Sequence, residues 1–324
     1  MRVPLVLGTA GLVAGAWACC AVSTLQSLVT FGGQTNIVIW DPATKTEHFV
    51  RNAEFFTEAK DLGFVAPSPT EPELAEASKE AFDTLARLEP PRAMEDAAKD
   101  DRPTEAATGG PVSVIRVQDV AGYRATVLRA TDSAALAAWM KQNGYRTTPA
   151  IEKWTEFYIS KDWYLTAFKV QAKEGEAATG VVRMTFKTEK PFNPYYVPSD
   201  NVGRGRPSPL MLFFVAPGRF KGTVGDSGAW AAGKRWEAEL TSSASRELAQ
   251  HLKLDREAIP ANCTVANYMD GSFPNAAGDD VYFTFVENVD WETPLQKALK
   301  LAAAPLVSVG ISFHHDLVRA AKDA

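Results

Sequence analysis

The residues whose types and spacing come closest to a reactive constellation are Gly225-Asp226-Ser227-Gly228, inside "VGDSGAW". A serine held in such a tight turn can act as a nucleophile, provided that a histidine base stands beside it and a carboxylate orients that base. Ala229 stands where a further glycine would complete the pattern, and no Gly-x-Ser-x-Gly elbow occurs elsewhere. The histidine with enough upstream chain is His48, in "KTEHFV", which reads as strand. Gly, Asp and Ser together are also ordinary turn formers. The segment therefore reads as a turn between strands, and no catalytic residue is assigned.

The other polar clusters are equally plain. The four histidines are His48, His251, His314 and His315. None has the spacing of a zinc site, and neighbours such as His314 and His315 point to opposite sides of a strand. "MDGSFPNAAGDD" offers Asp270, Asn275, Asp279 and Asp280. It lacks the alternating acids of a calcium loop and reads as the turn between two strands. No phosphate-binding or dinucleotide loop is present, so no metal and no cofactor are expected. An exported hydrolase of unrecognised type, using Asp279 and Asp280 or Ser227, is the alternative to a protein without catalysis. Aromatic residues crowd "EKWTEFYISKDWYLTAF". Trp154, Tyr158, Trp163 and Tyr164 are candidates for an aromatic binding surface; as alternate residues of paired strands they would instead belong to the core.

The N-terminus carries the clearest address. Arg2 precedes the apolar run "VPLVLGTAGLVAGAW", and "AWA" at 16–18 fits a small-x-small cleavage site. This predicts a signal peptide over residues 1–18. A lipid anchor on Cys19 and an uncleaved anchor are the alternatives; Trp17 fits a lipoprotein signal poorly. Three cysteines, Cys19, Cys20 and Cys263, permit one disulfide in an exported chain. Adjacent cysteines pair poorly with each other. The expected bridge runs from Cys19 or Cys20 to Cys263.

Behind these residues stand 324 positions, 46% hydrophobic and 23% charged, with net charge -5. Without the leader and its Arg2, 33 basic face 39 acidic residues. Such a chain has no general attraction for nucleic acid or anionic membranes. "GRGRPSP" at 203–209 is its best basic patch and reads as a solvated loop. No nucleic-acid partner is expected, and membrane contact only through Cys19 or an uncleaved N-terminus.

Residues 19–91 read as a strand-rich block closed by a helix over 71–89, in which Leu74, Ala77, Ala81, Leu85 and Leu88 recur at steps of three and four. Residues 92–111, acidic and rich in small residues, Pro and Gly, read as a flexible linker or loop. Residues 112–324 form the main block. A turn at Ala121-Gly122 joins two strands, and Asp132 or Ser133 caps a helix that Gly144 stops. "EKWTEFYIS", "WYLTAFKVQA", "GVVRMTFKT" and "LMLFFVAP" read as strands, the second and third pairing with each other. A helix capped near Ser243 and two further strands follow. Strands in groups with isolated helices between them argue for an α+β fold of mainly antiparallel sheets.

Several of these runs resemble a known family. "EHFVRNAEFF", "DLGFVAPSPTEPELAEA", "YRATVLRATDSAALAAWMKQNGY" and "WYLTAFKV" are similar to the bacterial exported proteins catalogued as domain of unknown function 2330. The resemblance covers roughly residues 19–290, with a gap at the acidic linker, and rests on these patterns, the Cys-Cys pair after the leader included. It implies a secreted or envelope protein of α+β type and brings no activity or catalytic residue. The expectation is an exported cell-envelope protein, periplasmic or extracellular, that serves as a non-catalytic binding or structural scaffold for an envelope component or protein. A lipid-anchored accessory protein acting through Cys19 is a third reading.

Overall fold

Asp41 opens the first turn of the computed structural model, which describes residues 20–22, 30–56, 63–90, 113–170, 180–202 and 209–289. The side chains of 20–22, 30–33 and 53–56 lie outside that description. After β1 (Cys20–Val22), the long strands β2 (Thr30–Asp41) and β3 (Thr46–Phe56) form a hairpin. The Asp41 carboxylate accepts from Ala43 N at 2.9 Å and Thr44 Oγ1 at 2.6 Å, which closes the turn between them.

β4 (Gly63–Ser68) follows. The helix expected over 71–89 is then replaced by strand β5 (Glu73–Ala77) and a seven-residue helix, α1 (Glu80–Ala86). The spacing of Leu74 and Ala77 suits a helix, but their backbone is claimed by pairing opposite Met184 and Val181. A distant strand has overridden the local pattern.

β6 (Ser113–Val120) and β7 (Tyr123–Arg129) turn on Ala121 and Gly122, both at positive φ (51° and 79°), as a two-residue hairpin requires. Asp132 caps α2 (Ser133–Gln142) by accepting from Ala135 N at 2.6 Å. "EKWTEFYIS", expected as a strand, lies in helix α3 (Pro149–Ile159). Thr148 caps it, Pro149 sits in its first turn, and Ile151, Trp154, Thr155 and Tyr158 form its buried face.

β8 (Tyr164–Val170), β9 (Val181–Lys187), β10 (Phe192–Asn193), β11 (Leu210–Pro217), β12 (Arg219–Val224) and β13 (Gly233–Glu239) come next. α4 (Ser242–His251) is capped by Thr241, two residues before the expected Ser243. β14 (Cys263–Asp270) and β15 (Val281–Glu287) complete the described elements.

The described strands form three sheets. Seven lie in the order β13-β14-β11-β2-β3-β9-β5, five in the order β1-β4-β8-β7-β6, and three in the order β10-β15-β12. All pairs are antiparallel except β11 with β2. The fold is α+β. β8 and β9, expected to pair, stand in different sheets: β8 lies between β4 and β7, β9 between β3 and β5. Each larger sheet draws strands from both sides of 92–111, so the sequence blocks 19–91 and 112–324 share their sheets. The linker itself lies outside the described residues.

Alternation along the strands sorts the core. Val38, Phe49, Leu212 and Phe214 of the seven-stranded sheet meet Phe64, Tyr123 and Phe168 of the five-stranded sheet and Phe283 of the third. Ile37, Ile39, Phe213 and Val215, on the opposite face, are covered by Leu85 of α1 and Leu248 of α4. Val65, Leu128 and Leu165 are covered by Trp139 of α2 and Trp154 of α3. No helix among the described residues is long and apolar enough to cross a membrane.

Candidate functional site

Strand β12 lies at an edge of the three-stranded sheet and β13 at an edge of the seven-stranded sheet. Between them opens a shallow cleft of about 320 Å³. Phe220, Trp230 and Tyr268 supply its aromatic lining, Gly222, Ala232 and Val286 its small and aliphatic lining. The Trp230 ring is 5.0 Å from Tyr268 and 5.8 Å, edge-on, from Phe283. Glycine at 222 makes this possible, because a Cβ there would stand 2.7 Å from Trp230 Cε3. Phe285 and Val286 are half exposed.

Arg219, Lys221 and Lys234 line the same cleft, with no acidic residue among the lining side chains. Arg219 Nε bonds Glu237 Oε1 at 2.7 Å, and its Nη1 bonds Glu287 Oε1. Lys234 also pairs with Glu237. Burial alone would raise the Glu237 carboxyl, but hydrogen bonds from Lys234 and Arg219 outweigh it and hold the group below the ordinary carboxylate value. Burial pushes the Tyr268 phenol up to about 12. Lys221 is exposed and extends from β12 without an ion-pair partner among the described residues.

A second polar cluster lies inside the molecule. Asp280 is fully buried, and its Oδ1 accepts from Tyr195 N (2.8 Å), Tyr196 N (3.0 Å) and the Tyr158 hydroxyl (3.0 Å). Its Oδ2 has no donor among the described residues. Burial raises this carboxyl to about 6, against the pull of those donors. Glu47, also fully buried, accepts from Phe192 N at 2.9 Å through Oε2. Burial raises its carboxyl well above the usual range, and the charge of Asp280 adds to the rise. Both buried carboxyls thus grip the backbone of 192–196. Towards the surface, Lys161 bonds Asp279 Oδ1 (3.2 Å) and the Tyr282 hydroxyl (3.0 Å), with its ammonium 3.8 Å from the Phe157 ring centre.

A family model matches residues 13–308. The chain belongs to the family described as uncharacterised proteins conserved in bacteria, DUF2330. No curated protein and no solved structure matches it.

Among the described residues of this DUF2330 chain, the polar motifs legible in sequence form no catalytic set. Gly225 N donates to Asp280 O at 2.9 Å, which places the Gly225–Gly228 turn against Asp279 and Asp280. Ser227 is exposed on that turn, and Asp226 pairs with Lys190 at 3.2 Å. Neither described histidine stands with Ser227. His48 bonds Thr185 Oγ1 at 2.8 Å and is held down to about 4, by burial and the charge of Arg183; His251 ends α4. Asp270 is taken up locally: its Oδ1 accepts from Ser272 N (2.8 Å) and Ser272 Oγ (2.6 Å), and its Oδ2 from the Tyr195 hydroxyl. Among the described residues no three acidic, histidine or cysteine side chains gather as a metal site. His314 and His315 lie outside the described residues, as does 203–208.

The four candidate aromatic residues do not make one surface. Trp154 and Tyr158 are fully buried, because α3 turns them onto the five-stranded sheet; Trp154 Nε1 donates to Tyr196 O at 2.8 Å. Trp163 and Tyr164 are partly buried against the core between the sheets. The aromatic residues of the cleft are different ones. Phe220 lies on β12, Trp230 in the segment before β13 and Tyr268 on β14, and the signal available in sequence was the alternation of basic and apolar residues in "RFKGTV".

Cys263 is a free thiol, buried in the cluster beneath α4, and donates to Pro260 O at 3.2 Å. The expected bridge to Cys19 or Cys20 is not formed. The backbone of Cys20 pairs opposite Val65 in the five-stranded sheet, whereas Cys263 faces the helices on the far side of the seven-stranded one. Cys19 and the side chain of Cys20 lie outside the described residues.

Proposed function

We propose that this DUF2330 protein is an exported protein of the bacterial cell envelope that binds an envelope component and catalyses no reaction itself. The cleft between β12 and β13 carries the proposal. It is open, aromatic and basic, as a recognition surface is, whereas Asp280 and Glu47 are committed to the backbone of 192–196. The apolar leader ending in "AWA" supports export, with cleavage after Ala18. Mass spectrometry of the mature N-terminus separates a free Cys19 amine from a diacylglyceryl adduct and from an uncleaved leader.

The deciding experiment places a photo-crosslinking amino acid at position 221 in the cleft, and separately at position 80 on α1, in the native bacterium. Envelope-localised protein with an adduct from position 221 and none from position 80 supports the reading. Retention in the cytoplasm, or equal labelling at both positions, overturns it.

A further inference from the structure

We infer that the cleft between β12 and β13 takes a carboxylated glycan, through stacking of a sugar ring on the Trp230 region and a salt link from Lys221. The inference rests on the binding role proposed above and names its ligand. The lining combines two partly exposed aromatic rings, Phe220 and Trp230, with cations, which is the pairing that a ring-bearing anion requires.

Charge sets how anionic that ligand is. Arg219, Lys221 and Lys234 bring three positive charges, and Glu237 and Glu287 neutralise two of them. One net positive charge suits a single carboxylate per recognised unit. It does not suit the closely spaced phosphates of nucleic acid, which draw on several unneutralised cations.

The backbone argues against a peptide strand. β12 is an edge strand, yet part of its backbone is already engaged away from β15. The Phe220 carbonyl accepts from the Tyr268 hydroxyl at 3.4 Å. Val224 N donates to Gly228 O at 2.9 Å, and Val224 O accepts from Gly228 N at 2.8 Å. Gly222, between them, lies against the Trp230 ring. Strand addition needs a free ladder, and this edge is interrupted at Phe220 and at Val224. What the cleft offers a ligand is side chains, in an opening of about 320 Å³.

The test is calorimetric titration of the mature full chain with three probes: a hexamer of galacturonic acid, a neutral glucose hexamer and a single-stranded DNA. The galacturonate hexamer is expected to bind about tenfold or more tightly than the neutral hexamer. Lys221→Glu is expected to remove at least about tenfold of that affinity with an unchanged melting temperature, since Lys221 is exposed. Trp230→Leu should weaken both sugars. Equal binding of the two hexamers, tighter binding of DNA, no binding of either sugar, or indifference to Lys221→Glu overturns the inference. If the cross-link from position 221 forms while the sugars fail, the ligand class is wrong and the binding role stands; if both fail, both fall.

Discussion

The Tyr158 hydroxyl donates to Asp280 Oδ1 at 3.0 Å, tying α3 to a residue 122 positions later in the chain. The same oxygen holds the backbone of Tyr195 and Tyr196, so one buried carboxyl joins a helix, an extended segment and the start of β15. Its titration must therefore show in stability. Burial raises the folded group to about 6 from an ordinary 3.8, so the folded state keeps the proton more tightly than the unfolded chain. The contribution is complete below pH ~4 and is lost as pH rises towards ~6, by about 3 kcal/mol as an order of magnitude. Glu47, raised as well, acts in the same direction. Asp280→Asn keeps an acceptor for the three donors and removes the titration. Urea unfolding between pH 4 and pH 7.5 should show the variant gaining on the parent as pH rises. Parallel profiles for the two proteins would exclude Asp280 as the source.

Gly222 is the position where a single methyl group should disturb the cleft. Its added Cβ would stand 2.7 Å from Trp230 Cε3 and 3.1 Å from Phe283 Cε1, and both rings pack against Tyr268. Gly222→Ala is expected to cost about 1–3 kcal/mol. The near-ultraviolet circular dichroism of the tryptophans should change with it. A fully stable variant with an unaltered spectrum would mean that the ring does not lie against this strand.

What was legible in the sequence is what local chemistry decides. Ala121-Gly122 makes its turn, Asp132 its cap and Gly144 its stop, because each answers to backbone within a few residues. Glu73–Ala77 and the aromatic run at 154–158 went the other way. A short apolar run fits a helix and a strand alike, and the deciding partners were far off: Val181–Thr185 for β5, and Val65, Leu128 and Leu165 for α3. The cleft was illegible for the same reason. Gly222, Trp230 and Tyr268 have no common period, and only the seam between two sheets brings them together.

Cys263 should behave as a buried structural thiol. Burial pushes it up to about 12, and its Sγ is already engaged with Pro260 O. Native protein at pH 8 is therefore expected to leave this thiol unlabelled by an aromatic disulfide reagent, and to expose it only on unfolding in denaturant. Peptide mapping without reductant should recover Cys263 as a free thiol. A disulfide-linked peptide containing it would restore the bridge to Cys19 or Cys20.

Trp154 provides the sharpest test of α3 as a helix. As a strand residue its exposure would alternate with its neighbours; on the helix it is fully buried, and its indole nitrogen donates to Tyr196 O at 2.8 Å. Trp154→Phe keeps most of the apolar volume and removes that donor. The Tyr196 carbonyl then loses its partner beside the buried Asp280 grip, at an expected cost of about 1–3 kcal/mol. Trp154→Ala adds a cavity between α3 and the five-stranded sheet and should cost about 3–5 kcal/mol. Chemical denaturation of the two variants reads both numbers. Equal, near-zero costs would place residue 154 at the surface and return the aromatic run to a strand.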